Sequence, residues 1–497
     1  MWLLILLFVG WQLSHTGGLR WEYDEGAYLA ISHLISKGHV LYSEVFGVQP
    51  PLFFYTLLWG FWFSEPEFAV QLGRATIIGF ASLGLLATGL LGQKMGGRWA
   101  GFLTVLLLSW HPRFFLYSKV VIGDVPSMSL AMVALWFLWR YNESSDSATL
   151  KPEFLWLLLS SITMGLAFGI KLLPIFLLPL FALLIIQRHY RQISPKKMSS
   201  KFALPHTLRI IRDGLIFGFG LLFTLFLLLI PFDINAFIQQ NLQFRMSGMN
   251  VSFSEMPSWL YVLADSFTLY VGYTLLMLAG VAFLGQKNRW HSFWMGCWLI
   301  ITFVTLANYS PLWPHLLVVW AFPQVILVSI ALKAISHHLQ TIIQGRPTFN
   351  ALNGLVLIAT IWFLVLLPFQ LQVNQESLYA PTEETDMEVI TYLNENVSDE
   401  RYIITDEPLL AVVTDKKLLP ILSDTSNVRL KIGHLTETQM ITLTEQYQPQ
   451  VIIFGWDQRF ATHLPGYLEW VKTHYQLYPL EHEGNLLFIE KPQTSFP

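Results

Sequence analysis

The sequence WEYDEGAYLA (residues 21–30) places two adjacent carboxylates, Asp24 and Glu25, directly after the apolar run MWLLILLFVGWQLS (residues 1–14). Such a run is typical of a membrane-spanning helix, because backbone polar groups in lipid must be satisfied inside the segment. It lacks a basic n-region and a small-residue cleavage site, so we expect it to be retained as a first span. The side of the membrane on which the carboxylates lie therefore limits what the chain can do.

The composition is that of a polytopic membrane protein. Of 497 residues, 54% are hydrophobic and 13% are charged, against about 25% charged residues in a soluble domain. A net charge of -3 argues against a nucleic-acid partner. The single cysteine, Cys297, excludes an intrachain disulfide. We predict an all-α membrane domain at residues 1–371, followed by a soluble α/β domain at residues 372–497.

Apolar segments of about 20 residues predict eleven membrane-spanning helices. The segment PPLFFYTLLWGFWF (50–63) is apolar but short, which is typical of a re-entrant or interfacial helix. The segment 153–187 is long enough for two helices and contains GIKLLP (169–174), a predicted turn. The predicted spans lie near residues 1–14, 69–92, 99–117, 125–141, 153–169, 172–187, 214–231, 259–284, 291–308, 315–335 and 350–371.

Basic residues in the loops orient these spans, because cytoplasmic loops are enriched in Lys and Arg. The connection after the sixth predicted span is strongly basic, and Asp213 is its only acidic residue. With eleven spans and a cytoplasmic N-terminus, this loop falls inside the cell. The first loop (15–68) and the C-terminal domain then lie on the extracytoplasmic face of the cell membrane. The basic residues of the connection are Arg188, Arg191, Lys196, Lys197, Lys201, Arg209 and Arg212.

The C-terminal domain alternates predicted strands and helices, which indicates a small α/β domain. Helices are predicted at 435–447, where Thr436 and Gln439 fit a capping box, and at 465–475. We expect this domain to shape acceptor access or to dock a partner. The predicted strands are RYIITD (401–406), QVIIFG (450–455) and NLLFIEK (485–491).

Ionisable residues gather at the predicted outer ends of the spans, where each is a candidate for function. Carboxylates suit proton abstraction from a hydroxyl or binding of a divalent cation, and cations suit binding of a phosphate. Together they indicate transfer of a group from a lipid phosphate to a hydroxyl. The candidates are the carboxylates Asp24, Glu25 and Asp124 and the cations Arg74, Lys171, Arg245 and His315.

Each candidate also has a structural interpretation. Asp24 could cap the helix EGAYLAISHLI, and Asp124 could cap the helix that follows it. Glu25 could stabilise only the first turn of its helix. Lys171 could extend to the interface without binding anything. We favour function for Asp24 because it lies beside the end of a span.

Several motifs resemble those of one enzyme group. DEGAYL (24–29) after a first span resembles the Asp-Glu motif of GT-C glycosyltransferases. The branch is that of dolichyl-phosphate-mannose–protein mannosyltransferases and aminoarabinose transferases (glycosyltransferase families 39 and 83). Gln49 departs from the group, which often has a basic residue before Pro-Pro, and this removes one phosphate contact. The later similar motifs are QPPLFFY (49–55), GDVPSMSL (123–130), GIKLLP (169–174) and HLLVVWAFP (315–323).

The resemblance implies transfer of a mannose-like or related sugar from a polyprenyl-phosphate donor to a protein, lipid or glycan hydroxyl. Asp24 would be the general base or a cation ligand, with Glu25 beside it, and Asp124 would position the acceptor or share the cation. The donor phosphate would bind cationic side chains, and we expect inversion at the anomeric carbon. No metal-ligand spacing is present, so a divalent cation stays open as a cofactor. The implied phosphate ligands are Lys171, Arg245, Arg74 and His315.

Two other functions compete with this hypothesis. A polysaccharide polymerase or ligase would typically place its large outer loop between late spans, whereas here the first outer loop is the largest. A lipid-linked sugar transporter or flippase would place ionisable residues near mid-membrane in two matching halves. Here they gather at span ends, and no repeated halves are evident. Membrane lipids are expected partners of all three.

Overall fold

A computed structural model describes residues 1–17, 22–144, 151–191, 200–249, 256–268, 270–344, 351–376 and 384–491. Much of the basic connection used to orient the chain, including Lys196 and Lys197, lies outside the described residues, as does Trp21. The described chain is mostly helical and carries a small sheet near its C-terminus. This confirms the predicted fold class.

The membrane part consists of helices joined by short connections. Its helices are α1 (Trp2–Leu13), α2 (Tyr23–Ser36), α3 (Pro51–Tyr55), α4 (Leu58–Phe63), α5 (Ala69–Gly96), α6 (Arg98–Trp110), α7 (Pro112–Tyr117), α8 (Asp124–Glu143), α9 (Lys151–Ile170), α10 (Leu178–Arg191), α11 (Ser200–Leu229), α12 (Ile234–Ile238), α13 (Phe244–Gly248), α14 (Ser258–Phe267), α15 (Val271–Lys287), α16 (Arg289–Ala307), α17 (Val318–Ile343) and α18 (Ala351–Glu376).

Seven helices of the described residues are long and apolar enough to cross a membrane, or eight if the bent pair α14–α15 forms one span. They coincide with eight of the predicted spans. The other three predicted spans coincide with α1, α6 and α8, which have 12, 13 and 20 residues. The membrane-spanning character is thus confirmed, and the count of eleven stays a prediction.

The loop between α1 and α5 folds into short helices that pack on the ends of the spans. Helix α2 is buried along most of its length, and the predicted interfacial segment forms α3 and α4. At Gly73 of α5, a Cβ would lie 2.9 Å from Val121 Cγ2 and 3.1 Å from Leu29 Cδ2. The absence of a side chain there lets α2, α5 and the segment before α8 meet closely.

The soluble domain is built on a five-stranded sheet of order β2-β1-β3-β5-β4. Strand β1 pairs in parallel with β2 and β3, whereas β5 pairs antiparallel with β3 and β4. The elements are α19 (Glu384–Asn396), β1 (Tyr402–Thr405), α20 (Pro408–Val413), β2 (Lys417–Leu418), α21 (Asn427–Lys431), α22 (Glu437–Tyr447), β3 (Val451–Phe454), α23 (Arg459–His463), α24 (Pro465–His474), β4 (Tyr475–Tyr478) and β5 (Leu486–Glu490).

The three predicted strands are β1, β3 and β5, and the two predicted helices are α22 and α24. The predicted capping box is present, because Thr436 Oγ1 accepts from the Gln439 amide and the Gln439 side chain accepts from the Thr436 amide. The short strands β2 and β4 were not predicted. The predicted domain boundary after residue 371 falls inside α18, which continues to Glu376. The exact position of the boundary stays a prediction.

Candidate active site

Three of the predicted residues meet where α8 and α17 begin and α9 ends. Asp124 is the first residue of α8, and Lys171 follows the last residue of α9. The Lys171 ammonium lies 2.7 Å from Asp124 Oδ2, and His315 Nε2 lies 3.9 Å from the same oxygen. All three side chains are buried. Asp124 Oδ1 has no hydrogen-bond partner in the described part of the chain, so it can still accept a bond from a ligand.

Helix geometry rules out the capping interpretation of the two aspartates. Helix α2 begins at Tyr23 with Glu22 at its N-cap position, so Asp24 and Glu25 both lie in the first turn. Helix α8 begins at Asp124 with Gly123 at the N-cap position. Neither aspartate therefore occupies the N-cap position that the alternative interpretation required.

Asp24 lies close enough to Asp124, Lys171 and His315 for their charges to act on its carboxyl. Burial raises the pKa of the Asp24 carboxyl above its ordinary value, and the charges of His315 and Lys171 oppose that rise. Asp124 and Asp424, the latter from the soluble domain, add to it. Within the residues that the structure describes, Asp24 has no ion-pair or hydrogen-bond partner. Its carboxylate can therefore receive a proton from a ligand.

The structure joins two other candidates to each other. Arg74 donates from Nε to Glu25 Oε1 at 2.9 Å and from Nη2 to Glu25 Oε2 at 2.7 Å. The Val121 amide donates to Glu25 Oε1 at 3.1 Å, and Arg74 also donates to the Thr16 carbonyl. Both side chains are fully buried. This bidentate pair holds α2 against α5 and the segment before α8.

Arg245 occupies the neighbourhood of Gln49, where the sequence lacks the expected cation. Its Nη2 donates to the Val48 carbonyl at 2.7 Å and to Gln49 Oε1 at 2.9 Å. Gln49 in turn donates to the Tyr28 hydroxyl at 2.8 Å. The charge of Arg245 acts on both Asp124 and His315. Helix α13 thus brings a guanidinium to the position that Gln49 leaves without a charge.

Sequence reasoning missed the residues that hold His315 in place. Arg113 donates to the Pro314 carbonyl at 3.0 Å and forms an ion pair with Asp265 of α14. The ring of Tyr117 lies edge-on to His315, with 6.0 Å between the ring centroids. Asp265 lies inside a predicted span, and an ionisable residue at that position was the signal that could have drawn attention to the pair.

A protein-built metal site does not fit this arrangement. Among the residues with described positions, no three His, Cys, Asp or Glu side chains are grouped so that they could hold a metal ion. Asp124 Oδ2, the oxygen nearest His315, is occupied by the Lys171 ammonium.

Residues 3–246 match the family model of dolichyl-phosphate-mannose-protein mannosyltransferase. This part of the chain is similar to that family. All the predicted site residues except His315 lie in the matched part. No curated protein sequence matches the chain.

Solved structures match nearly the whole chain. ArnT from Cupriavidus metallidurans bound to undecaprenyl phosphate is 14% identical, with 99% of each chain covered and a TM-score of 0.63. The apo form of the same protein gives a TM-score of 0.64. An oligosaccharyltransferase from Archaeoglobus fulgidus tethered to an acceptor peptide is 14% identical over 96% of this chain and 70% of that one, with a TM-score of 0.56. The chain has the GT-C fold, including the soluble domain.

Proposed function

We propose that the chain transfers a mannose-like or related sugar from a polyprenyl-phosphate donor to a hydroxyl acceptor on the extracytoplasmic face, with Asp24 as the general base. The observation that carries the proposal is the position of Asp24. Its carboxylate lacks a bonded partner in the described structure and lies close enough to the buried group of Asp124, Lys171 and His315 for their charges to act on it. One base beside cations that suit a phosphate is the arrangement that such a transfer requires.

The donor phosphate is assigned to Lys171, His315 and Arg245. An ammonium has three donors, and Lys171 uses one of them on Asp124. Charge on the phosphate grows as the bond to the sugar breaks, and fixed cations in a site shielded from water stabilise that charge strongly. The ArnT structure with undecaprenyl phosphate supports a lipid phosphate as the ligand. Arg74 is not assigned to the phosphate because it holds Glu25.

In the proposed step, Asp24 accepts the proton of the acceptor hydroxyl while that oxygen bonds to the anomeric carbon of the sugar. The bond between this carbon and the phosphate oxygen breaks, and its electron pair leaves with the polyprenyl phosphate. Attack opposite the leaving group inverts the anomeric carbon. A buried carboxylate with a raised pKa is a better base, provided that it stays ionised, and the charges of Lys171 and His315 favour the ionised form.

The assay uses the purified full-length chain with labelled polyprenyl-phosphate sugars and protein, lipid and glycan acceptors. We expect wild type to transfer label and Asp24→Asn to lose the activity by about 10²- to 10⁴-fold, the usual contribution of a general base. Glu44→Gln is the matched control, because Glu44 is an exposed carboxylate of the same loop. Equal transfer by wild type and Asp24→Asn contradicts the assigned base. A wild type that transfers none of these sugars contradicts the whole proposal.

The proposal also places the first outer loop and the soluble domain outside the cell membrane, with the N-terminus in the cytoplasm. The basic loop residues of the sequence support this orientation. A Cys297→Ser background with a single cysteine at Glu44 tests it through labelling of intact cells with a membrane-impermeant maleimide. We expect labelling from outside, and labelling only after lysis would contradict the orientation.

A further inference from the structure

The soluble domain binds the side chain of Tyr23, the residue directly before Asp24. The Tyr23 hydroxyl accepts a hydrogen bond from the Thr425 amide at 2.6 Å and donates to Asp424 Oδ1 at 3.3 Å. The guanidinium carbon of Arg459 lies 3.7 Å from the centroid of the Tyr23 ring. Tyr23 is therefore held at both its hydroxyl and its face by the same domain.

A second contact lies one turn further along α2. A Cβ placed on Gly26 would lie 2.8 Å from Leu409 Cβ and 3.3 Å from the Leu409 amide nitrogen. Helix α20 of the soluble domain therefore packs directly on the backbone of α2. Glycine at this position permits the approach, and Asp24 lies between the two points of contact.

The far end of α2 is held by an ionic contact. His33 Nε2 lies 2.9 Å from Asp415 Oδ1, and the Lys37 ammonium lies 3.0 Å from the same oxygen. The hydrogen bond from His33, followed by that from Lys37, lowers the pKa of Asp415 to about 2. The carboxylate is thus ionised at any physiological pH, and α2 is fixed at both ends against the soluble domain.

The groups that hold Tyr23 are themselves fixed within the soluble domain. Asp424 Oδ1 also accepts from the Ser426 amide at 2.9 Å. Arg459 donates to the Asp406 carbonyl at 2.9 Å, at the end of β1. These contacts fix Asp424 and Arg459 relative to the sheet. The positions of the groups that bind Tyr23 are therefore set by the fold of the soluble domain.

We propose that this contact, the Tyr23 clamp (Tyr23 and Gly26 of α2 with Leu409, Asp424, Thr425 and Arg459), positions the Asp24 carboxylate for transfer. The inference rests on the proposed function, in which Asp24 is the base. Because Asp24 has no bonded partner of its own in the described chain, the orientation of its side chain depends on the position of the first turn of α2. Misplacement of a reacting group by 1 Å can cost about 100-fold in rate. The soluble domain is then part of the catalytic apparatus, and its residues act through α2.

The test compares full-length variants for kcat and for KM of the donor. Asp424→Ala and Tyr23→Phe remove the bonds at the hydroxyl, and we expect each to lower kcat by about 10- to 100-fold with the donor KM unchanged. Asp424→Asn keeps an oxygen that accepts from Tyr23 and Ser426, and we expect it to restore most of the wild-type kcat. Glu490→Gln is the control, because Glu490 forms an exposed ion pair with Arg401 in the same domain. Wild-type kcat in Asp424→Ala and Tyr23→Phe, or no restoration by Asp424→Asn, overturns the inference.

Hydrogen exchange of the α2 amides (23–36) gives a readout that does not need activity. We expect faster exchange in Asp424→Ala and Tyr23→Phe than in wild type and Glu490→Gln. Unchanged exchange in those variants overturns the clamp even if wild type transfers no sugar. Conversely, if wild type transfers sugar and the variants keep wild-type kcat and wild-type exchange, the proposed function stands and the clamp is contradicted. Failure of the clamp and failure of the proposed function therefore give different results.

Discussion

The Lys171 ammonium lies 2.7 Å from Asp124 Oδ2, although 47 positions separate the two residues in the chain. Both side chains are buried. Taking two such ions out of water costs several kcal/mol for each, and an apolar pair of similar volume is often as stable or more stable. Stability alone therefore does not explain the pair. In the proposed function, Asp124 holds the ammonium where the donor phosphate binds.

Separating stability from function at this pair requires a double variant. Lys171→Met leaves a buried, unpaired carboxylate and should destabilise the protein by about 3–5 kcal/mol. The double variant Asp124→Leu with Lys171→Met removes both charges and should recover most of that stability without recovering transfer. Thermal unfolding in detergent and the transfer assay measure the two effects. Transfer by the stable double variant would contradict the assignment of Lys171 to the phosphate.

The pair Glu25–Arg74 should matter for stability but not for transfer. Arg74→Met alone leaves Glu25 buried and unpaired, again at a cost of about 3–5 kcal/mol. The double variant Glu25→Leu with Arg74→Met removes both buried charges, and the Val121 amide and the Thr16 carbonyl each lose one hydrogen bond. We expect it to fold and to keep transfer within about tenfold of wild type. The same two assays apply. Complete loss of transfer in this stable double variant would contradict the prediction. It would instead support the roles that the sequence predicted, catalysis for Glu25 or phosphate binding for Arg74.

Arg245 should bind the donor phosphate in place of the cation that is absent at Gln49. A hydrogen bond to a charged group contributes about 1.5–3 kcal/mol, so Arg245→Gln should weaken binding of undecaprenyl phosphate by about 10- to 100-fold. Adding Gln49→Lys to that variant should recover much of the affinity, because the two positions are in contact. Titration of the purified protein with undecaprenyl phosphate measures both. Wild-type affinity in Arg245→Gln would remove Arg245 from the site.

The soluble domain should lose stability as the pH rises from about 4 to 7. Burial raises the pKa of Glu407 from 4.5 to about 7 and that of Asp406 from 3.8 to about 6. A carboxyl whose pKa is higher in the folded state stabilises folding below its unfolded value, and this contribution is lost as the pH rises through the folded value. Hydrogen exchange of β1 and α20 in the full-length chain measures the loss. Glu407→Gln should reduce the pH dependence, and stability that rises over this range would contradict the prediction.

The sequence allowed prediction of the side of the membrane on which the site residues gather, because span ends follow from apolar length. It thereby predicted that Asp24, Asp124 and Lys171 share one face. It did not predict that Glu25, one residue after Asp24, turns to Arg74. Successive residues of a helix point about 100° apart, and which side chain meets which partner depends on packing. The approach of Asp424 to Tyr23 was equally inaccessible, since 401 positions separate them.

That separation has a consequence for the order in which the protein is made. At roughly 5–20 residues per second, the ribosome reaches Asp424 about 20–80 s after Tyr23. During that interval α2 lacks Thr425 and Arg459, so Tyr23 and Gly26 have none of the contacts that the soluble domain later makes with them. A nascent chain therefore carries every residue of the group around Asp124 before it carries the residues that hold α2. Premature termination before residue 424 would leave a membrane domain with its carboxylates in place and its first outer helix unsupported.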